Sequence, residues 1–179
     1  MKKRKTNYSI RLLVGLAILL IAVFVLREYY FSSNSIVKEV VYGNSMLPTI
    51  EDNQSVDVDY GYYQYHHIRR GDIVVINFKT RKDDFIKRVI ALPEENITFG
   101  KDGLIYVNGV QLKEDYLLNK KSFNENELLT LVTQLEYYNN TIPKGYYLVL
   151  GDNRMDSFDS GSYGLVLKES IIGKIVKIM

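Results

Sequence analysis

The chain has no cysteine, two histidines and three prolines in 179 residues. Without cysteine there can be no disulfide, no thiolate metal ligand and no cysteine nucleophile, a composition that suits a domain outside the reducing cytosol. The two histidines are adjacent, His66 and His67, in a loop-like stretch behind the tyrosines of Tyr60–Tyr65, and read as surface or membrane-facing residues. Few prolines and no low-complexity tract exclude wholesale disorder. Acid is also missing from the first eleven residues, where Lys2, Lys3, Arg4, Lys5 and Arg11 give +5, while the remainder has 18 basic and 21 acidic residues, about −3. A basic tail on a mildly acidic body argues against a nucleic-acid partner, which requires basic residues on the folded part. The length accommodates one membrane segment and one domain of about 140–150 residues with its own core.

What is present begins with an aliphatic run. Leu12 to Leu26 carries no charge. Counted from Tyr8, a helix through it is about 28 Å long at about 1.5 Å per residue, close to a bilayer's hydrocarbon thickness. Arg11 would snorkel to the headgroups, and Tyr29, Tyr30 and Phe31 suit the far interface. Basic residues before the span, against only Arg27 just after it, predict a cytoplasmic N-terminus and an outer domain. The expected division is a basic tail over residues 1–9, a single-pass anchor over 10–30 and an outer folded domain over 36–179. The rival, a cleavable signal peptide, fits less well, because Arg27-Glu28-Tyr29-Tyr30-Phe31 is a poor cleavage region and Ser33-Asn34-Ser35 a weak one.

Beyond a linker at Phe31–Ser35 the pattern is mainly β. Val56, Val58 and Tyr60 alternate with polar residues, and Asp72–Phe78, Phe85–Leu92, Tyr146–Leu150 and Ile171–Ile178 are strand-like runs. Leu104–Val107 lies between two turn dipeptides, Asp102-Gly103 and Asn108-Gly109. One helix is expected over Ser122–Tyr138, where Ser122 and Glu125 form a capping-box pattern ahead of Leu128, Leu129, Val132 and Leu135. The fold class is therefore a transmembrane helix followed by a mainly antiparallel β domain with one short helix. No internal repeat is visible.

Two residues carry candidate chemistry. Ser45, in Gly43-Asn44-Ser45-Met46-Leu47-Pro48-Thr49, sits between a glycine that permits a tight turn and a proline that fixes the backbone. Read alone it is a turn hydroxyl, and it matches neither Gly-x-Ser-x-Gly, which fails at Leu47, nor Ser-x-x-Lys, which fails at Pro48. Lys87 would share a strand face with Phe85 and Val89, while Ile86, Arg88 and Ile90 share the other. Apolar surroundings disfavour the ammonium and lower its pKa, and a neutral amine can take the proton of a serine hydroxyl. Arg88, if covered, needs a carboxylate. The loop Gly151–Gly161 is rich in Asp, Asn and Ser, which commonly satisfy their own backbone. Its spacing is not that of an EF-hand and Arg154 adds positive charge, so neither calcium nor any other cofactor is expected.

Four segments in order resemble the bacterial type I signal peptidases. Ser45-Met46-Leu47-Pro48-Thr49 matches the nucleophile motif and Gly71-Asp72-Ile73-Val74 a following strand. Lys87-Arg88-Val89-Ile90-Ala91-Leu92-Pro93 matches the general-base strand and Gly151-Asp152-Asn153-Arg154 the last motif, continuing to Ser157, Asp159 and Ser160. The resemblance implies a membrane-bound serine endopeptidase that removes signal peptides from exported preproteins at the outer face of the cytoplasmic membrane. Ser45 would be the nucleophile, Lys87 the general base, Ser157 a hydrogen-bond partner that orients the lysine, and Asp152 a brace against Arg88. Met46, Phe85 and Ile86 would wall shallow pockets for small residues, with Gly43 also among the substrate-binding residues and the substrate bound as an added strand. One anchor, a short insert and Gly43 before the nucleophile look like the Gram-positive branch. In the Gram-negative pattern a serine at that place helps stabilise the oxyanion, so here the Ser45 amide and another donor would act. The family usually has Asp and Asn at the positions of Met155 and Asp156, and an arginine at Gly161 paired with Asp159. These departures imply reduced or narrowed activity, or a non-cleaving relative that binds preproteins or a partner. A self-cleaving repressor-type peptidase would lack the anchor, and a histidine-based signal peptidase would not place Lys87 at the base position. The tyrosines of Tyr60–Tyr65 fit either a membrane interface or strand packing.

Overall fold

The computed structural model describes residues 2–33, 36–100, 103–117, 123 and 125–179. The chain separates into two units, 1–35 and 36–179.

With no polar side chain to divert its hydrogen bonds, the aliphatic run forms part of one continuous helix, α1 (Lys2–Ser33). The helix is longer at both ends than the expected span, and it takes in Phe31 to Ser33 of the expected linker. Within it Ile10–Arg27 has a mean hydropathy of 2.5 over 18 residues and is not buried against protein, so by length and composition it can cross a membrane. Leu12, Leu20 and Leu26 are all more than 60% exposed, an apolar surface of a kind that water does not favour.

The second unit is mainly antiparallel β, as the alternation predicts. Its strands are β1 (Ile36–Val40), β2 (Ser55–Asp59), β3 (Ile73–Ile76), β4 (Phe85–Ala91), β5 (Ile97–Phe99), β6 (Ile105–Val107), β7 (Val110–Gln111), β8 (Tyr146–Leu150), β9 (Val166–Leu167) and β10 (Ile171–Ile178). Seven make a sheet in the order β1-β2-β10-β3-β4-β8-β9, and three make a smaller one, β5-β6-β7. The β6–β7 turn uses Asn108 and Gly109 at φ 52° and 78°, the left-handed pair expected of an Asn-Gly hairpin. Asp102 and the capping residue Ser122 lie outside the described residues. The expected helix appears as α3 (Glu125–Tyr137), and two single-turn helices join it, α2 (Tyr62–Tyr65) and α4 (Ser160–Tyr163).

β1 carries little periodic signal because valine occurs on both of its faces, and most of it is exposed at the sheet's edge. The tyrosine stretch is neither strand nor loop but the turn of α2. Its hydroxyls are used within the domain, Tyr60 donating to Glu39 at 2.5 Å and Tyr63 to Asp72 at 3.0 Å. His66 stacks on Tyr62, and both histidines are exposed.

Three apolar clusters make the core. One lies beneath α3 and the small sheet, with Ile90, Leu131, Leu135 and Leu150. A second gathers Val74, Val89, Val149 and Ile171, with Phe85 packed against it. A third holds Met46, Ile50, Val56, Val58 and Val75, with Ile86 packed against it. β4 thus separates the second and third clusters. β8 pairs with β4 only from Arg88 to Ala91, so among the described residues the same edge of Phe85–Lys87 has no strand beside it.

Candidate active site

The register Val74↔Lys87, Val75↔Ile86 and Ile73↔Arg88 puts Lys87 and Arg88 on opposite faces of β4, as strand alternation requires. Lys87 is 3% exposed. Its Nζ donates to Ser45 Oγ at 2.9 Å and to the Ile86 carbonyl at 2.8 Å. Burial pulls its pKa from 10.5 down to about 8, against the opposing pull of Asp159 and then Asp152. The amine is therefore substantially neutral in mildly alkaline water, and it stands within proton-transfer distance of a hydroxyl.

Ser45 is held by turns on both sides. Leu47 N donates to the Asn44 carbonyl at 3.2 Å and Ile50 N to the Met46 carbonyl at 2.9 Å. From 108 residues away Asn153 clamps the same turn, its amide donating to the Ser45 carbonyl at 3.0 Å and its Nδ2 to the Asn44 carbonyl at 3.2 Å. Gly43 has φ +97°, a left-handed conformation that disfavours side chains, and its amide donates to Asp52 at 2.7 Å.

The opposite face of β4 holds a saturated ion pair. Arg88 Nε donates to Asp152 Oδ1 at 2.8 Å and Nη2 to Oδ2 at 2.6 Å. Its Nη1 reaches the Gly71 carbonyl at 3.0 Å, and the guanidinium lies 4.1 Å from the centre of the Tyr116 ring. Thr49, four residues beyond Ser45, also donates to Asp152 Oδ2. Burial alone would lower the Arg88 pKa, but the hydrogen bonds and charge of Asp152 outweigh it and raise it. A second buried pair, Arg154 with Glu114, lies behind the first; Arg154 Nε holds the Gly151 carbonyl and Tyr116 donates to Glu114 at 2.7 Å. One network therefore ties the nucleophile turn, β4 and the Gly151 loop together.

Several sequence expectations are altered here. Ser157 Oγ is buried with no hydrogen-bond partner, so the expected bond to Lys87 is not formed, and the Ile86 carbonyl orients the lysine instead. The serine packs hard against Gly151, where an added Cβ would come 2.3 Å from Ser157 Oγ and 2.4 Å from the Ser45 carbonyl oxygen, which explains the glycine. Asp159, lacking an arginine at position 161, is nevertheless satisfied. Its Oδ2 accepts from Gly151 N at 2.9 Å and its Oδ1 from Gly161 N at 3.0 Å, capping α4. The loop holding Ser157 is pinned further by Ser160, whose Oγ accepts from Val149 N at 3.1 Å.

Ser45 and Lys87 open onto a cavity of about 550 Å³ lined by β1 and its continuation (Glu39 to Tyr42) and by Lys82 to Lys87. Phe85 and Ile86 line it as expected. Met46 and Gly43 are not among its lining residues; Met46 is 1% exposed within the third cluster. The sequence reading missed Thr49, Glu114, Tyr116, Asn153 and Arg154 as supports. Thr49, Asn153 and Arg154 stand inside quoted motifs, but no local pattern marks Glu114 or Tyr116, which reach the site only through the fold. Among the described residues no group of acids and histidines is arranged to hold a metal.

The profile described as signal peptidase, peptidase S26, matches residues 9–179. The signal peptidase I T of Bacillus subtilis is 33% identical over 172 residues, covering 96% of this chain and 85% of that protein. The signal peptidase IB of Staphylococcus aureus is 33% identical over 182 residues, covering 98% and 89%. A crystal structure of a signal peptidase I from Enterococcus faecalis shares 36% identity, covers 62% of this chain and 98% of that one, and superposes with a TM-score of 0.50.

Proposed function

Because the chain belongs to the signal peptidase family, peptidase S26, we propose that it removes signal peptides from exported preproteins with Ser45 as nucleophile and Lys87 as general base. The observation that carries this reading is the 2.9 Å contact between the Ser45 hydroxyl and a buried lysine amine whose pKa is lowered to about 8. An extended substrate segment would lie along the unpaired edge of Phe85–Lys87, opposite β1, hydrogen-bonding as an added strand.

Ser45 Oγ attacks the scissile carbonyl carbon as its proton passes to Lys87 Nζ, and the new oxyanion takes a hydrogen bond from the Ser45 amide. The carbon–nitrogen bond then breaks, and the lysine ammonium gives its proton to the departing amine. Water attacks the acyl-serine as Lys87 again takes the proton, the bond from the carbonyl carbon to Ser45 Oγ breaks, the ammonium returns its proton to Oγ, and the signal peptide leaves with its new carboxyl end. Ile86 keeps the amine aimed at Ser45, while Asn153 holds the serine turn in place. Lipid would cover the apolar window of α1, with the N-terminus inside and the peptidase unit outside, since the basic residues precede the span. The motive for a non-cleaving relative was a bare Asp159, and both of its oxygens are occupied.

The test is cleavage of a preprotein with an Ala-x-Ala site by the full chain in detergent, beside Ser45→Ala and Lys87→Ala. Cleavage after the second alanine that vanishes in both variants is expected. Activity retained by Lys87→Ala would sink the mechanism.

A further inference from the structure

Val37, Glu39 and Val41 alternate onto one face of the β1 segment, and the strand register sets Val37 opposite Val58 and Glu39 opposite Val56. Val56 and Val58 are fully buried, so Glu39 is a carboxylate in a row otherwise filled by valine. It is not sealed in the core. It is partly exposed and lines the same cavity as Ser45 and Lys87.

Its hydrogen-bond partner is neutral, the Tyr60 hydroxyl at 2.5 Å. On the other wall stands Asp84, which accepts from the neutral Asn77 amide at 2.6 Å, with Asp83 beside it. Two lysines, Lys82 and Lys87, line the same cavity, and among the described residues none of Glu39, Asp83, Asp84 and Lys82 belongs to an ion pair. Burial and then Glu39 raise the Tyr60 pKa, with a further contribution from Asp84, so both carboxylates act on one point. Val40, Val41, Val75, Phe85 and Ile86 supply apolar parts of the wall. Apolar walls weaken screening and concentrate the field of charges that lack counter-ions.

We propose that this end of the cleft is a subsite for a lysine or arginine of the substrate, and that Glu39 is the residue that determines the preference. This rests on the reading of the cavity as a peptidase cleft and narrows its substrates to those with a cation near the cut. Tyr60 holds the carboxylate toward the cavity without cancelling its charge. A glutamate in the substrate would meet Glu39 and Asp84 with like charge and be disfavoured, which supplies discrimination from both sides.

The experiment uses the full chain in detergent and matched Ala-x-Ala peptides in which one residue, Lys, Gln or Glu, is moved through the positions flanking the cut. At one or two positions the Lys peptide should exceed the Glu peptide in kcat/KM by about tenfold at low salt, and the contrast should shrink as salt screens it. Glu39→Gln should reduce the contrast and Glu39→Lys should reverse it. Lys and Glu peptides cleaved equally at every position by the unaltered protein would overturn the proposal while leaving the peptidase reading intact, and this result depends on no variant's folding. A contrast that survives in Glu39→Lys would overturn it too. Failure to cleave any of the peptides would bring down the peptidase reading and this inference with it.

Discussion

Lys87 and Arg88 are consecutive cations on β4, both withdrawn from water, and the fold treats them in opposite ways. Arg88 meets a carboxylate whose side chain is fully buried, receives both of its oxygens and keeps its charge. Lys87 faces a serine hydroxyl and a carbonyl, neither of which is charged, and its pKa falls to about 8. Placing a cation in a protein costs energy that only a counter-charge in good geometry offsets. The pair on one face makes a brace, and the missing pair on the other leaves an amine that suits the base proposed for it. Asp152 and Asp159 do pull on Lys87, but each is engaged elsewhere, Asp152 by Arg88 and Asp159 by two backbone amides.

The largest effect should come from abolishing the uncompensated side. Lys87→Met should lower kcat by about 10²–10⁴-fold, the contribution typical of a positioned general base, without lowering the melting temperature. A strongly destabilised Lys87→Met would mean that the lysine is a structural cation like its neighbour, and the comparison would break. Next comes the compensated side. Arg88→Met strands the Asp152 carboxylate and should destabilise the domain by about 3–5 kcal/mol, measured as a fall in melting temperature. Little change in melting would show that Thr49 alone satisfies Asp152.

The pH profile sharpens the contrast. In the proposed mechanism Lys87 works as the neutral amine, so kcat/KM should be low below the folded-state pKa and rise with pH through about 8. Asp159 favours the ammonium, so Asp159→Asn should move that midpoint down. Gly161→Arg should move it the same way by setting a cation near Asp159, and it should fold, since a Cβ there meets its nearest atoms at 3.4 Å and 3.5 Å. A midpoint unchanged in both would remove Asp159 from the electrostatics of the base. The smallest effect belongs to Tyr116→Leu, which removes the ring beside Arg88 and should cost about 0.5–2 kcal/mol of stability with no shift in the pH midpoint.

Much of this was legible in one dimension. Alternation located β2, and nearly continuous apolar runs located β3, β4, β8 and β10, because each buries one or both faces against a core. It missed β1, an edge strand whose mostly exposed residues left little pattern to read. The four motifs contain Ser45, Lys87, Arg88 and Asp152, and the structure sets Ser45 beside Lys87 and Arg88 beside Asp152. The Ser157–Lys87 bond and Met46 as a pocket wall were read from the same motifs, and they differ because side-chain direction and burial depend on what packs against the loop.

The sequence by itself determined a helix whose charge-free run, Leu12–Leu26, lies within a window able to cross a membrane, a mainly β domain, and which face of one strand each cation occupies. Those follow from local rules: hydrogen bonding in an apolar run, and the alternation of side chains along a strand. Only the tertiary structure decided that Lys87 would find a hydroxyl 42 residues away while Arg88 found a carboxylate 64 residues away. It also decided that Glu39 would join the cleft and that Glu114 would steady Arg154. Burial and counter-charge are set by contacts between distant segments, and local sequence carries no record of the distance at which two such segments meet.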